Sequence, residues 1–130
     1  MPIQKEIVTQ VGIIDGRDSI YLDEVEFTVN ELIFKGKING NSCTNNYFKK
    51  EWIKYTLKFY NTLYFDCVEL DFNKIENQFA SSFDLVTNSE IIKSFQNQSK
   101  KLTEQHSHYG LFTYDYIFQI IAKSFELTVS

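Results

Sequence analysis

Proline occurs once in these 130 residues, at Pro2, and cysteine twice, at Cys43 and Cys67. With so little proline there is no proline-rich linker, and no repeat or low-complexity tract divides the chain. The reading is a single domain over residues 1–130. Two cysteines without CxxC spacing make neither a disulfide framework nor a cysteine-based zinc site, and both thiols are expected to be reduced. No run approaches the roughly eighteen apolar residues that a membrane span requires. The opening Met1-Pro2-Ile3-Gln4-Lys5-Glu6 has no apolar secretory core, so the expectation is a cytoplasmic chain with no membrane partner. The sequon Asn97-Gln98-Ser99 then has no consequence.

The spacings of common catalytic and nucleotide sites are also absent. "GKING" lacks the GxxxxGK[ST] pattern of a phosphate loop, and GxGxxG, HExxH and GxSxG do not occur. These absences weigh against an enzyme. Positive charge is in the minority as well, with 13 Lys and Arg against 17 Asp and Glu, a net charge of −4. The balance shifts along the chain: residues 1–31 are strongly acidic, 32–60 basic, 61–97 acidic and 98–130 neutral. An acidic chain is poorly suited to direct nucleic-acid binding, which draws on clustered Lys and Arg.

What is present is aromatic and alternating. Hydrophobic residues make up 43% of the chain and aromatics 16%, enough for an independent core at this length. Val25, Phe27 and Val29 alternate with polar residues, and the alternation resumes in the other parity at Leu32, Phe34 and Ile38. Period two marks half-buried strands, and the parity change requires a tight turn or bulge at Asn30-Glu31. Gly36, Asn39, Gly40 and Asn41 supply turn chemistry after the strand pair. Ile53, Tyr55, Leu57 and Phe59 share one face of the next strand. "LYFDCVELDF" (63–72) follows a break at Asn61-Thr62, with Tyr64, Val68, Leu70 and Phe72 in one parity. The two segments read as an antiparallel hairpin.

One helix is signalled near residues 88–96, where Thr87 and Glu90 have capping-box spacing ahead of Ile91, Ile92 and Phe95. The stretch 114–125 supports either a helical stripe or two strands. Its Tyr, Ile and Phe content and a turn at Tyr114-Asp115 favour strands. The fold class is α+β: mostly antiparallel β-sheet, in hairpins or a meander arranged like a sandwich or half-barrel, with one short α-helix.

Several groups could carry chemistry. His106 and His108 would share one side of a strand, but a stable zinc site needs three or four protein ligands and the chain has no third histidine. They read as a solvated pair at the entrance to the core-forming strands 109–129. Cys67, inside an apolar strand, reads as a small hydrophobe, and Cys43, in "NGNSCTNN", as an exposed thiol with nothing nearby to activate it. Lys49, Lys50, Lys54 and Lys58 interleave with Tyr47, Phe48, Trp52 and Tyr55, a mixture that can hold nucleic acid. Alternation instead places these lysines on the wet face of an ordinary strand. Asp23, Glu24 and Glu26 cluster in the first acidic segment, and Glu69 and Asp71 share a strand face with Asp66 opposite. Their simplest functional reading is an anionic patch for a basic partner.

"HYGLFTYDYIFQIIAKSFEL", "YTLKFYNTLYFDCVELDF" and the intervening "SSFDLVTNSEIIKSF" resemble a loose group of small bacterial proteins, some of which accompany contact-delivered toxins as immunity proteins. The similarity spans about residues 52–127 and rests on hydrophobic pattern. It implies a compact acidic cytosolic domain that masks the active or substrate-binding surface of a cognate toxin. The expectation is therefore a protein-binding immunity protein, not an enzyme, with no catalytic residue, metal or cofactor. Its partner is a cationic toxin, for example a nuclease, met through Asp23, Glu24, Glu26, Glu69 and Asp71, and the chain itself is a monomer or weak dimer. A small-molecule-binding sheet domain with an aromatic concave face is the alternative, followed by a metal-dependent enzyme using His106, His108 and a carboxylate.

Overall fold

The computed structural model describes residues 2–46, 48–72 and 79–130, and of Phe72 only the backbone. The expected roles of the Tyr47 ring and the Phe72 side chain fall outside the described residues. Among the described residues, nine strands form two antiparallel sheets: β1 (Ile3–Glu6), β2 (Ile20–Phe27), β3 (Glu31–Asn39), β4 (Trp52–Tyr60), β5 (Tyr64–Glu69), β6 (Phe83–Thr87), β7 (Ser107–Phe112), β8 (Tyr116–Ala122) and β9 (Ser124–Val129). One sheet has the order β1-β6-β7-β8-β5 and the other β2-β3-β4-β9. The helix α1 (Glu90–Phe95) lies between β6 and β7 in the chain. The expectation of mostly antiparallel sheet with one short helix holds at this level.

The alternation read from sequence sets the inner faces of β3 and β4. Leu32, Phe34 and Ile38, with Ile53, Leu57 and Phe59, are all at most 3% exposed. Rings from the two sheets meet there: Phe34 of β3 lies 4.9 Å from Phe118 of β8, Phe59 of β4 5.3 Å from Tyr109 of β7, and Phe125 of β9 4.9 Å from Phe83 of β6. Edge-on and tilted pairs of this kind stabilise beyond the area they bury, by about 1 kcal/mol each. The irregular segment before β2 adds Val11 and Ile14 to the same cluster.

The turn at Asn30-Glu31 is present, with Thr28 N–H donating to the Glu31 carbonyl at 2.9 Å. The bulge lies elsewhere, at Asp23, where the β2–β3 register shifts between Leu22 and Glu24. Gly36 is not a turn residue. It sits within β3 opposite Leu22, and a Cβ there would come within 1.9 Å of the Tyr21 carbonyl oxygen. Gly40 does open a turn, a single 3-10 turn over Gly40–Ser42 capped by Asn39.

The expected β4–β5 hairpin is overturned. β4 pairs with β3 and β9 on its two sides, whereas β5 pairs with β8 in the other sheet. Both edges of β4 are thus occupied, and the break at 61–63 carries the chain between sheets. Asn61 adopts φ +53°, Thr62 N–H reaches the Asn30 carbonyl, and Leu63 N–H reaches Ile121. The inward parity of β5 is also reversed. Phe65, opposite core Ile120, packs on the core, and Cys67 shares its parity. Antiparallel partners directly opposite one another share a face.

The strand reading of 114–125 holds. β7 and β8 form a hairpin around Tyr114-Asp115, and β9 follows Lys123. The helix cap does not hold: Thr87 ends β6, and Ser89 is the cap, its Oγ accepting from Ile92 N–H at 3.1 Å. Asn88 at φ +54° separates them, turning the chain out of the strand before the helix begins. Among the described residues no helix is long and apolar enough to cross a membrane.

Candidate functional site

Strands β2 and β5 are edge strands of different sheets, and their side chains meet: the rings of Phe27 and Phe65 are 5.3 Å apart. At the other end of β2, Tyr114 N–H donates to the Ile20 carbonyl at 2.8 Å and the Tyr21 and Tyr114 rings stack at 5.1 Å. Leu70 N–H in turn donates to the Asp115 carbonyl at 2.8 Å. These links place Asp23, Glu24 and Glu26 on the same margin of the molecule as Glu69 and Asp71. All five carboxylates are exposed.

They do not all share a face. Glu24 and Glu26 lie opposite Lys35 and Ile33, on the outer face of the four-stranded sheet, while Asp23 is the bulged residue. Glu69 ends β5 with the core-side parity of Phe65, and Asp71 lies beyond it in a 3-10 turn over Leu70–Phe72. The expectation that Glu69 and Asp71 occupy one strand face is therefore corrected, because the strand stops between them.

Sequence reasoning missed the apolar half of this margin. Val25, Phe27, Trp52, Val68, Tyr114 and Tyr116 are each 38–54% exposed. Val25 and Phe27 have inward parity, opposite buried Phe34 and Leu32, yet remain open because β2 is the last strand of its sheet. Periodicity marks them as core and contains no signal for an edge. Arg17 lies over the Tyr114 ring at 5.7 Å, so one cation already rests against this surface.

The histidines are not a solvated entrance. His106 is 7% and His108 5% exposed. His108 lies on β7 beneath the start of α1. Ser89 Oγ is 2.7 Å from its Nδ1, and its Nε2 meets Gln119 Oε1 of β8. With the Gln119 oxygen as acceptor, the ring carries its hydrogen on Nε2 and Nδ1 accepts the Ser89 hydroxyl. His106 Nδ1 accepts from Thr103 N–H at 3.1 Å. Burial lowers the pKa of both rings; Lys123 adds to this at His106, while Gln119 and Asp66 oppose it at His108. His108 ties the start of α1 to the sheet, and His106 holds the turn from Thr103 into β7. Among the described residues, no three His, Cys, Asp or Glu side chains are grouped to hold a metal ion.

Comparison with protein-family models, curated proteins and solved structures returns no match.

The cysteines exchange the places expected of them. Cys67 is exposed on its edge strand, and Cys43 is half-buried with its Sγ 3.7 Å from the Asn39 carbonyl. Burial raises both thiol pKa values, and Asp66 adds to the rise at Cys67, so neither is an activated nucleophile. Lys54 and Lys58 lie on the outer face of β4 while Tyr55 is buried, as alternation required. Between the sheets, a void of about 10 Å3 lies among Ile14, Ile38, Tyr55 and Phe83. A larger groove, of about 710 Å3, lies away from that core between α1 and the β4–β5 connection.

Proposed function

We propose that this chain is a cytosolic immunity-type protein whose β2–β5 margin covers a cationic surface of a cognate toxin domain. The observation that carries the reading is the pairing of exposed aromatics with exposed carboxylates along that margin, joined through the Phe27–Phe65 contact. Aromatic anchors supply contact area at small entropic cost, and surrounding acids steer and orient a basic partner. The likeness of residues 52–127 to small immunity proteins supports the same class.

The fold behind this margin is read as a two-layer β-sandwich, a reading supported by the ring contacts from β3, β4 and β9 onto β8, β7 and β6. It acts as a rigid blocker and performs no chemistry. If the toxin is a nuclease, its phosphate-binding Lys and Arg are the natural target. The test is co-expression with the toxin encoded beside its gene. Growth is restored by the native chain and lost again when Glu26, Glu69 and Asp71 are reversed to Lys in a protein that still folds. An unchanged growth defect with the native chain refutes the reading.

A further inference from the structure

The groove beside α1 has a composition unlike the rest of this acidic molecule. Its apolar lining comes from Leu63, Tyr64, Phe95, Leu102 and Ile121, with Tyr64 and Phe95 in ring contact at 5.2 Å. Lys101 and Lys123 are exposed in the same lining, which includes no Asp or Glu among the described residues. Neither lysine forms an ion pair among the described residues. Asn30, Asn61, Thr62, Gln98, Ser99 and His106 supply the rest of its polar lining.

The groove is held open by structure on each side. The His106–Thr103 hydrogen bond fixes the segment that carries Lys101 and Leu102. On the opposite side, Leu63 N–H is anchored on Ile121 and Thr62 N–H on Asn30. At about 710 Å3 the space falls within the roughly 300–1,000 Å3 of small-molecule sites. An apolar lining with two cations that have no ion-pair partner among the described residues calls for a ligand with the complementary division: a greasy body and one anionic group.

We propose that this groove binds a small amphipathic anion, an aromatic or short aliphatic body with a single acidic group, seated between α1 and the β4–β5 connection. The apolar body lies against Phe95, Leu102 and Ile121, and the anionic group lies between the Lys101 and Lys123 ammonium groups. The groove adjoins the Phe27–Phe65 end of the β2–β5 margin through Val29, Asn30 and Tyr64, but its lining includes none of the carboxylates or exposed aromatics assigned to the toxin surface, so it is tested apart from that reading.

The test compares two fluorescent probes with the same ring system, 8-anilinonaphthalene-1-sulfonate and its uncharged counterpart N-phenyl-1-naphthylamine. They are titrated into the full chain under conditions where its near-ultraviolet circular dichroism is that of the folded protein. The sulfonate binds saturably at one site, and the neutral probe binds about tenfold more weakly, about 1.4 kcal/mol. The double variant Lys101→Gln/Lys123→Gln brings the sulfonate down to the neutral probe and leaves the neutral probe unchanged. Leu102→Ser weakens both. Absence of saturable binding, equal affinity for the two probes, or sulfonate affinity unaltered in the lysine variant would each overturn the proposal.

Discussion

The rings of Phe27 and Phe65 touch across 5.3 Å between the last strand of one sheet and the last strand of the other. Phe27 is 54% exposed, so the contact is a seam at the surface and not part of the core. Phe27→Ala is therefore expected to cost about 1 kcal/mol in stability, the scale of one aromatic pair. A urea titration checks this: the midpoint falls while the slope is unchanged. In the complex proposed above, the same substitution removes a central anchor and weakens toxin binding by more than it weakens the fold.

A second relationship lies at the other end of β2. The Tyr55 hydroxyl of β4 donates to the Tyr21 carbonyl of β2 at 3.2 Å, reaching across β3 at Gly36. Burial, with Asp23 nearby, pushes the phenol pKa well up, so it stays a donor throughout the working range. Tyr55→Phe is expected to lose about 1 kcal/mol. Gly36→Ala is expected to be worse, about 3 kcal/mol, because its Cβ must displace the β2 backbone or shift β3. If the two variants unfold at the same urea concentration, the close approach at Gly36 is wrong.

Strand existence was legible from alternation at β2, β3, β4, β8 and β9, where apolar residues recur at every second position apart from the parity change at the β2 bulge and Gly36 in β3. Pairing was not. Nothing in "YTLKFYNTLYFDCVELDF" distinguishes a hairpin from a chain that changes sheets at Asn61, because both present the same two alternating runs. β5 misleads further: Tyr64 lies against Phe95 of α1 while Phe65 packs on the core, so both parities carry rings. The acidic half of the candidate margin could be read from charge runs. Its apolar half could not, because Val25 and Phe27 look like core until the sheet is known to end beside them. The burial of His106 and His108 depends on α1 and the segment after it covering the outer face of β7, a tertiary event without a sequence signal.

Those two histidines set a pH dependence. Each has its folded pKa lowered below the ordinary 6.5, chiefly by burial. Between the folded value and 6.5 the unfolded chain binds more protons, so stability rises with pH in that window. Their contribution is complete above about 6.5 and is lost as pH falls toward and through the folded values. Asp84 works in the opposite sense. Burial raises its pKa despite hydrogen bonds from Ser81 and Ala80, so protonation favours the folded state. Variants, compared by urea midpoints from pH 7.5 to 5, separate the two. In His106→Gln/His108→Asn the fall in midpoint below pH 6.5 is flattened, and an unflattened fall assigns it to other groups.

The position of the helix cap gives the sharpest contrast between sequence and structure. Capping-box spacing names Thr87, yet its Oγ1 donates to the Ile3 carbonyl at 3.3 Å and has no part in α1. Ser89 Oγ instead accepts from Ile92 N–H and donates to His108 Nδ1, so one hydroxyl links the helix start to the sheet below. Ser89→Ala removes the cap and leaves a buried imidazole nitrogen without its donor. Each loss is worth about 1 kcal/mol, for a total of about 2. Thr87→Ala, at an exposed strand end, is expected to change stability by less than about 0.5 kcal/mol. Ser89→Thr keeps the hydroxyl and recovers part of the loss. Amide exchange supplies a local readout: Ile92 N–H and Gln96 N–H lose protection in Ser89→Ala at conditions where β7 and β8 retain theirs. A larger stability loss for Thr87→Ala than for Ser89→Ala would restore the cap to Thr87 and detach α1 from His108.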